Sequence, residues 1–209
     1  AAPFRRAIAR LAAYVRELRR AGVVLKYLDF GGGIGVRYAA EDPLEIRNYA
    51  EIVARALRPL GCHLLLEPGR VIVGQAGVLL MRVLYTKTNH GKTFVVVDAA
   101  MNDMLRPALY GAIHPITVAV ASRRRSPARV DIVGPVCETG DCFLQDWPLG
   151  KVSSGDLLAL WGAGAYGFAM ASNYNARPRV PEVIGKGKIF SVVKDRETFK
   201  DLIRGENIP

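Results

Sequence analysis

The hydrophobic pattern changes period near residue 74, and that change limits what the chain can fold into. Before it, Ile8, Leu11, Ala12, Val15 and Leu18 recur at helical spacing and predict a helix over residues 4–21. Lys26 to Phe30 reads as a short strand ending in glycines. Pro43 stands near the start of a second helix, continued by Ile46, Ala50, Val53 and Leu57. Leu64-Leu65-Leu66 reads as a second strand, running into Glu67-Pro68-Gly69-Arg70. This is a β/α arrangement with glycine- and charge-rich loops at the carboxyl ends of its strands. In β/α barrels and open α/β sheets, ligands bind at that end.

After residue 74 the pattern is mostly strand. Gly77 to Thr88, Lys92 to Asp98, Ile116 to Ala121, Val130 to Val133 and Asp156 to Trp161 are β-like runs between Gly, Pro, Asn and Asp. Asn89-His90-Gly91-Lys92 predicts a hairpin turn, and Met101 to Tyr110 a short helix. A strand over Lys188 to Val193 and a helix from Asp195 to about Ile203 close the chain. Two β/α units cannot close a barrel, which takes eight units in about 250 residues. Alone they would expose apolar faces and unpaired edges. Further chain upstream is therefore expected.

Half of the 209 residues are hydrophobic, yet no apolar run reaches the ~18 residues that span a bilayer. The uncharged stretch from Leu157 to Ala171 falls short and is broken by Gly162, Gly164 and Gly167. Arginines interrupt the first twenty residues, which do not read as a secretory signal. The net charge of +10 is dispersed and lacks an aromatic–basic platform, which argues against a nucleic-acid partner. The one tight cluster, Arg123-Arg124-Arg125, has Ser122, Ser126 and Pro127 as neighbours and reads as a solvated loop tip. Cys62, Cys137 and Cys142 are an odd, sparse set. They argue against a disulfide framework and for a reducing, cytoplasmic setting. Cys137 and Cys142 lack a second pair and nearby histidines, so no zinc site is expected. His63, His90 and His114 stand apart and read as structural or exposed.

Three segments could carry chemistry. Asp29-Phe30-Gly31-Gly32-Gly33 could bring backbone amides close to a phosphate, or merely redirect the chain. Glu67-Pro68-Gly69-Arg70 could hold a protonated ring nitrogen and an anion, or form a local ion pair on a turn. Cys137-Glu138-Thr139-Gly140-Asp141 puts a thiol beside a carboxylate, where the alternative is a buried cysteine. Arg106 could bind an anion or sit on a helix surface. Tyr166 could contact a ligand or belong to the core.

Taken as an ordered set from about residue 25 onward, these motifs resemble the diaminopimelate decarboxylases. That family belongs to the alanine-racemase-like pyridoxal-phosphate enzymes, with ornithine and arginine decarboxylases. The resemblance implies α/β plus all-β architecture. Residues 1–73 would be the C-terminal part of a cofactor-binding β/α (TIM-like) barrel. Residues 74–209 would be a β-barrel or sandwich domain with a terminal helix. It implies pyridoxal 5'-phosphate held by Gly31, Gly32, Gly33, Glu67, Gly69, Arg70 and Tyr166. Substrate contacts would be Arg70, Arg106, Tyr110, Glu138 and Tyr166, with Cys137 the proton donor. Thr139 stands where the family usually has serine and keeps the hydroxyl. The implied reaction is decarboxylation of meso-2,6-diaminopimelate to L-lysine in a homodimer, with Cys137 and Glu138 reaching into the partner's site. The family's cofactor-binding lysine lies far upstream of the glycine motif, and Lys26 does not match it in position or context. The chain alone is therefore expected to be inactive and to need the missing N-terminal barrel half. The other readings are an ornithine/arginine-type decarboxylase or a non-catalytic regulatory homologue. Arg106 favours a substrate with a distal carboxylate.

Overall fold

The computed structural model describes residues 2–120, 126 and 128–207, so the Arg123-Arg124-Arg125 cluster lies outside the described residues. The chain divides into two compact units, Ala1–Gln75 and Ala76–Pro209.

The first unit is built on helix α1 (Ala2–Arg20) and helix α2 (Ile46–Leu57). Helix α1 buries Ile8, Ala12 and Val15, which lie on one face at spacings of four and three. Helix α2 answers with Tyr49, Val53 and Leu57, and the Phe4 ring meets Tyr49 edge-on at 5.2 Å. Leu28, Ile34 and Leu60 complete this core. Helix α1 stops in a Schellman turn. The Val23 N–H reaches the Leu18 carbonyl, and Gly22, at φ 85°, supplies the left-handed residue.

Strand β1 (Tyr27–Asp29) and strand β2 (His63–Leu65) pair in parallel, Leu28 opposite Leu64. The pairing runs on past both strands. The Phe30 N–H donates to the Leu65 carbonyl and the Glu67 N–H to the Gly31 carbonyl, at 3.1 and 2.8 Å. Parallel pairing thus sets both carboxyl-end loops side by side. Helix α3 (Arg70–Val73) follows at once.

The second unit carries a six-stranded mixed sheet. Its strands are β3 (Val78–Asn89), β4 (Lys92–Val97), β5 (Ile116–Val118), β6 (Val130–Val133), β7 (Cys142–Trp147) and β8 (Leu157–Trp161). Their order is β5-β8-β3-β4-β6-β7, and only β4 and β6 run parallel. Met81/Val83, Val95/Val97, Val130/Ile132 and Leu158/Leu160 enter this core at the two-residue period of a strand, while Val96, Asp131 and Ala159 between them are buried as well. All six strands send side chains into this one core. The two outermost strands are also bridged: the Trp147 indole N–H donates to the Ile116 carbonyl at 2.7 Å. The sheet is therefore curled around its core. The β3–β4 turn has positive φ at both His90 (47°) and Gly91 (78°), the geometry that matches a two-residue hairpin to strand twist.

A short helix α4 (Arg106–Tyr110) lies between β4 and β5. Strands β9 (Glu182–Lys186) and β10 (Ile189–Lys194) form a separate hairpin, followed by helix α5 (Phe199–Leu202).

Several elements depart from the sequence reading for local reasons. Strand β7 lacks alternation because its pairing with β6 shifts register. Phe143 and Leu144 are both buried, and Asp146 adopts φ 48°. Strand β9 is exposed along nearly its whole length and contains Gly185, so it carries no buried stripe. Helix α4 starts at Arg106 and not Met101, because residues 101–103 form a turn. Strand β5 ends at Val118. Helix α5 begins at Phe199 and not Asp195, because Thr198 and Asp201 form a capping box there.

Candidate functional site

In the first unit the chain brings Gly31–Gly33 against Glu67–Arg70. A Cβ on Gly32 would lie 2.0 Å from the Glu67 carbonyl oxygen, so only glycine permits this approach. Gly31 and Gly33 adopt φ of 73° and 81°, and the Gly31 N–H is held by the Asp29 carboxylate at 2.7 Å. Glu67 is exposed at the carboxyl end of β2. Arg70 keeps its Nε buried without a hydrogen-bond partner. Among the described residues Glu67 and Arg70 form no ion pair with one another. Lys26 sits at the opposite, amino end of β1, where its carbonyl accepts the His63 N–H.

In the second unit Arg106 opens α4, half-buried. Its guanidinium lies over the Tyr110 ring at 5.9 Å and over the Tyr166 ring at 5.3 Å, both within cation–π range. Its Nε–H donates to His114 Nε2 at 3.3 Å. Tyr166 is not a core aromatic: it is 43 % exposed and has φ 63°. A left-handed tyrosine costs about 1–2 kcal/mol, which the surrounding turn must offset. That turn is tight, since a Cβ on Gly167 would meet the Ala163 carbonyl at 2.3 Å.

Cys137 and Glu138 stand exposed on the loop between β6 and β7, so Cys137 is not a buried thiol. The loop is closed by Asp141. Its buried carboxylate accepts the Val136 N–H at 2.8 Å and the Met101 N–H at 2.7 Å. Burial pushes the Asp141 carboxyl up from its ordinary range, and the two backbone N–H groups oppose that shift. Gly134 makes room for it, because a Cβ there would lie 2.3 Å from Asp141 Oδ2. Gly140 faces Ala108 of α4, which places this loop beside the helix that begins with Arg106.

Two neighbours of these groups were not singled out from the sequence as site residues. The Tyr174 hydroxyl donates to Glu138 Oε2 at 3.2 Å, and that carboxylate pushes the Tyr174 hydroxyl pKa up. His114 is buried behind Arg106. Tyr174 lies 36 residues from Glu138 and gave no signal. His114 follows Arg106 by eight residues, but its isolation from other histidines suggested only a structural role.

The family model of pyridoxal-dependent decarboxylases, C-terminal sheet domain, matches residues 14–164. The chain belongs to the pyridoxal-dependent decarboxylases. It is 47% identical over 206 residues to a diaminopimelate decarboxylase of Pseudomonas aeruginosa, covering 99% of this chain and 49% of that protein. The crystal structure of diaminopimelate decarboxylase from Helicobacter pylori complexed with L-lysine is similar at 42% identity. Its TM-score is 0.89, with 97% of this chain and 50% of that one covered. The diaminopimelate decarboxylase of M. jannaschii, in co-complex with L-lysine, aligns at 35% identity and TM-score 0.93. That match covers 100% of this chain and 49% of that one. The chain spans about half the length of the relatives it matches.

The groups present suit the cofactor of a pyridoxal-dependent decarboxylase. Glycines at positive φ allow close backbone approach, and Arg70 carries an unpartnered buried N–H. Glu67 supplies a carboxylate at the same strand ends. Phosphate and a pyridinium nitrogen need these three kinds of group. Among the described residues no cluster of His, Cys, Asp and Glu could hold a metal ion. No described helix is long and apolar enough to cross a membrane.

Proposed function

We propose that the chain is the part, lacking the cofactor-bearing lysine, of an enzyme that decarboxylates meso-2,6-diaminopimelate to L-lysine. In this reading the first unit is the last portion of a β/α barrel, and the intact enzyme is a homodimer. The observation that carries the reading is Arg106, its cation set over the Tyr110 and Tyr166 rings. In the homodimer Glu138 would reach it from the other protomer. A substrate whose distal end is an amino acid needs a cation for its carboxylate and an anion for its ammonium. An ornithine-type substrate has no distal carboxylate for Arg106 to bind.

Gly31, Gly32, Gly33, Gly69 and Arg70 would hold the phosphate of pyridoxal 5'-phosphate. Glu67 would keep a proton on the ring nitrogen, and Tyr166 would line the ring and the substrate. When bound, the cofactor supplies an electron sink for the pair left behind as carbon dioxide departs. The chain's residues do the rest. Arg106, Tyr110 and Arg70 bind carboxylate, and Glu138, braced by Tyr174, accepts the distal ammonium. Cys137 Sγ gives its proton to the carbon that lost carbon dioxide, forming the C–H bond, and the thiolate recovers a proton from water. The exposure of Cys137 on a loop fixed by Asp141 supports that donor role.

The test is Cys137→Ala in a full-length family enzyme carrying this sequence. Loss of a positioned proton donor should lower turnover by about 10²-fold or more while cofactor absorbance persists. Unchanged turnover removes Cys137 from the role.

A further inference from the structure

We propose that His114 is a positioning residue for Arg106, acting as a neutral imidazole locked in one tautomer. The proposal rests on the reading of Arg106 as a carboxylate contact. His114 is 1 % exposed, in the segment between α4 and β5. Its Nδ1 lies 3.0 Å from the Trp161 carbonyl oxygen. A carbonyl only accepts, so Nδ1 carries the hydrogen. On the other side Arg106 Nε–H points at Nε2, so Nε2 presents its lone pair. Only the neutral Nδ1–H form satisfies both contacts. The imidazolium would set an N–H against an N–H, and the other tautomer would break both bonds.

The far end of this chain of contacts is fixed. Trp161 is the last residue of β8. Its own N–H donates to the Pro115 carbonyl at 2.9 Å, and its indole N–H to the Thr117 hydroxyl at 2.9 Å. The Trp161 carbonyl is therefore held by β5 and β8 of the sheet. Through His114 this anchor reaches the Arg106 Nε, on the same guanidinium that lies over the Tyr110 and Tyr166 rings. With Nε engaged, the guanidinium cannot use its Nε/Nη side-on fork, which narrows how a carboxylate can approach. Ordering Arg106 before the substrate arrives removes part of the entropy cost of binding.

Asn and Gln separate the two halves of the contact. In His114→Asn the short amide can keep the bond to Trp161 but falls short of Arg106. In His114→Gln the longer amide places its oxygen where Nε2 was. In the full-length enzyme, His114→Asn should raise KM for diaminopimelate by about tenfold, with kcat little changed. His114→Gln should restore most of the affinity. Nitrogen spectra of the unaltered protein should show His114 Nδ1 protonated and Nε2 bare. A native KM in His114→Asn, or a protonated Nε2, overturns the proposal. Arg106→Ala tells the two readings apart. If it leaves KM unchanged, the carboxylate reading of Arg106 fails, and the nitrogen spectrum still decides the His114–Arg106 bond. The spectrum also decides should His114→Asn fail to fold.

Discussion

Asp141 is the residue on which the candidate proton-donor loop depends. Its carboxylate ties Val136, inside the loop, to Met101, on a different segment, and occupies space that a Cβ on Gly134 would fill. Gly134→Ala would push the carboxylate off two backbone N–H groups that are engaged at 2.7 and 2.8 Å. The cost should be about 1–3 kcal/mol of stability, from overpacking and a lost buried bond. A denaturant titration would show it as a lowered midpoint with an unchanged slope. A midpoint equal to that of the unaltered protein would mean that the loop relaxes without using Asp141. The sequence made Cys137 and Glu138 visible because motif residues sit next to one another. It did not reveal Tyr174 or the bracing role of His114. Their contacts depend on how turns fold back, and neither lies on a periodic face.

At the level of elements, the β9–β10 hairpin depends on its base. The hairpin is largely exposed, with Phe190 and Ile189 more than two-thirds open. Glu197, just beyond β10, accepts bonds from Arg179 Nε at 2.7 Å, the Arg179 N–H at 2.8 Å and the Asn173 amide at 2.7 Å. These bonds, the arginine's first, lower the Glu197 pKa from 4.5 to about 2. A depressed carboxylate adds stability above its unfolded value and loses it as pH falls. The contribution of Glu197 is thus complete above about pH 4.5 and gone below about pH 2. Burial raises the Asp103 and Asp141 carboxyls instead, so their contributions favour the folded state at low pH and fade as pH rises. A melting curve of one protein mixes these opposite trends, whereas the difference from Glu197→Gln isolates the pair. That difference in Tm should shrink steadily between pH 4.5 and 2. A difference constant across this window would show that the pair is not linked to folding. The same region explains why the sequence placed β10 well and missed β9. Phe190 lies across Gly185, where a Cβ would come within 2.9 Å of the ring as it stands, so β9 accommodates that ring with a glycine that reads as a break.

For the molecule as a whole, the decisive group is a lysine. Helical periodicity made the βαβ order of the first unit legible, and the parallel pairing of β1 with β2 explains why two distant loops meet. Lys26 is the one lysine in residues 1–75. It precedes β1, whereas Gly31–Gly33 follow it, and about 16 Å of extended chain separates the two ends. A lysine at the amino end of a strand points its chemistry away from the loops that suit the cofactor. The relatives supply about twice this length. Binding groups alone would not supply the activated lysine that such a cofactor site needs. The 209-residue chain, given pyridoxal 5'-phosphate and meso-diaminopimelate, should therefore release no carbon dioxide above the level of free cofactor. Adding the amino-terminal half of a full-length relative as a second polypeptide should restore release. The restored activity should be lost when the lysine of that added half is replaced, and should survive Lys26→Met. Turnover by the chain alone that disappears in Lys26→Met would reverse this assignment and make the amino end of β1 part of the reacting site.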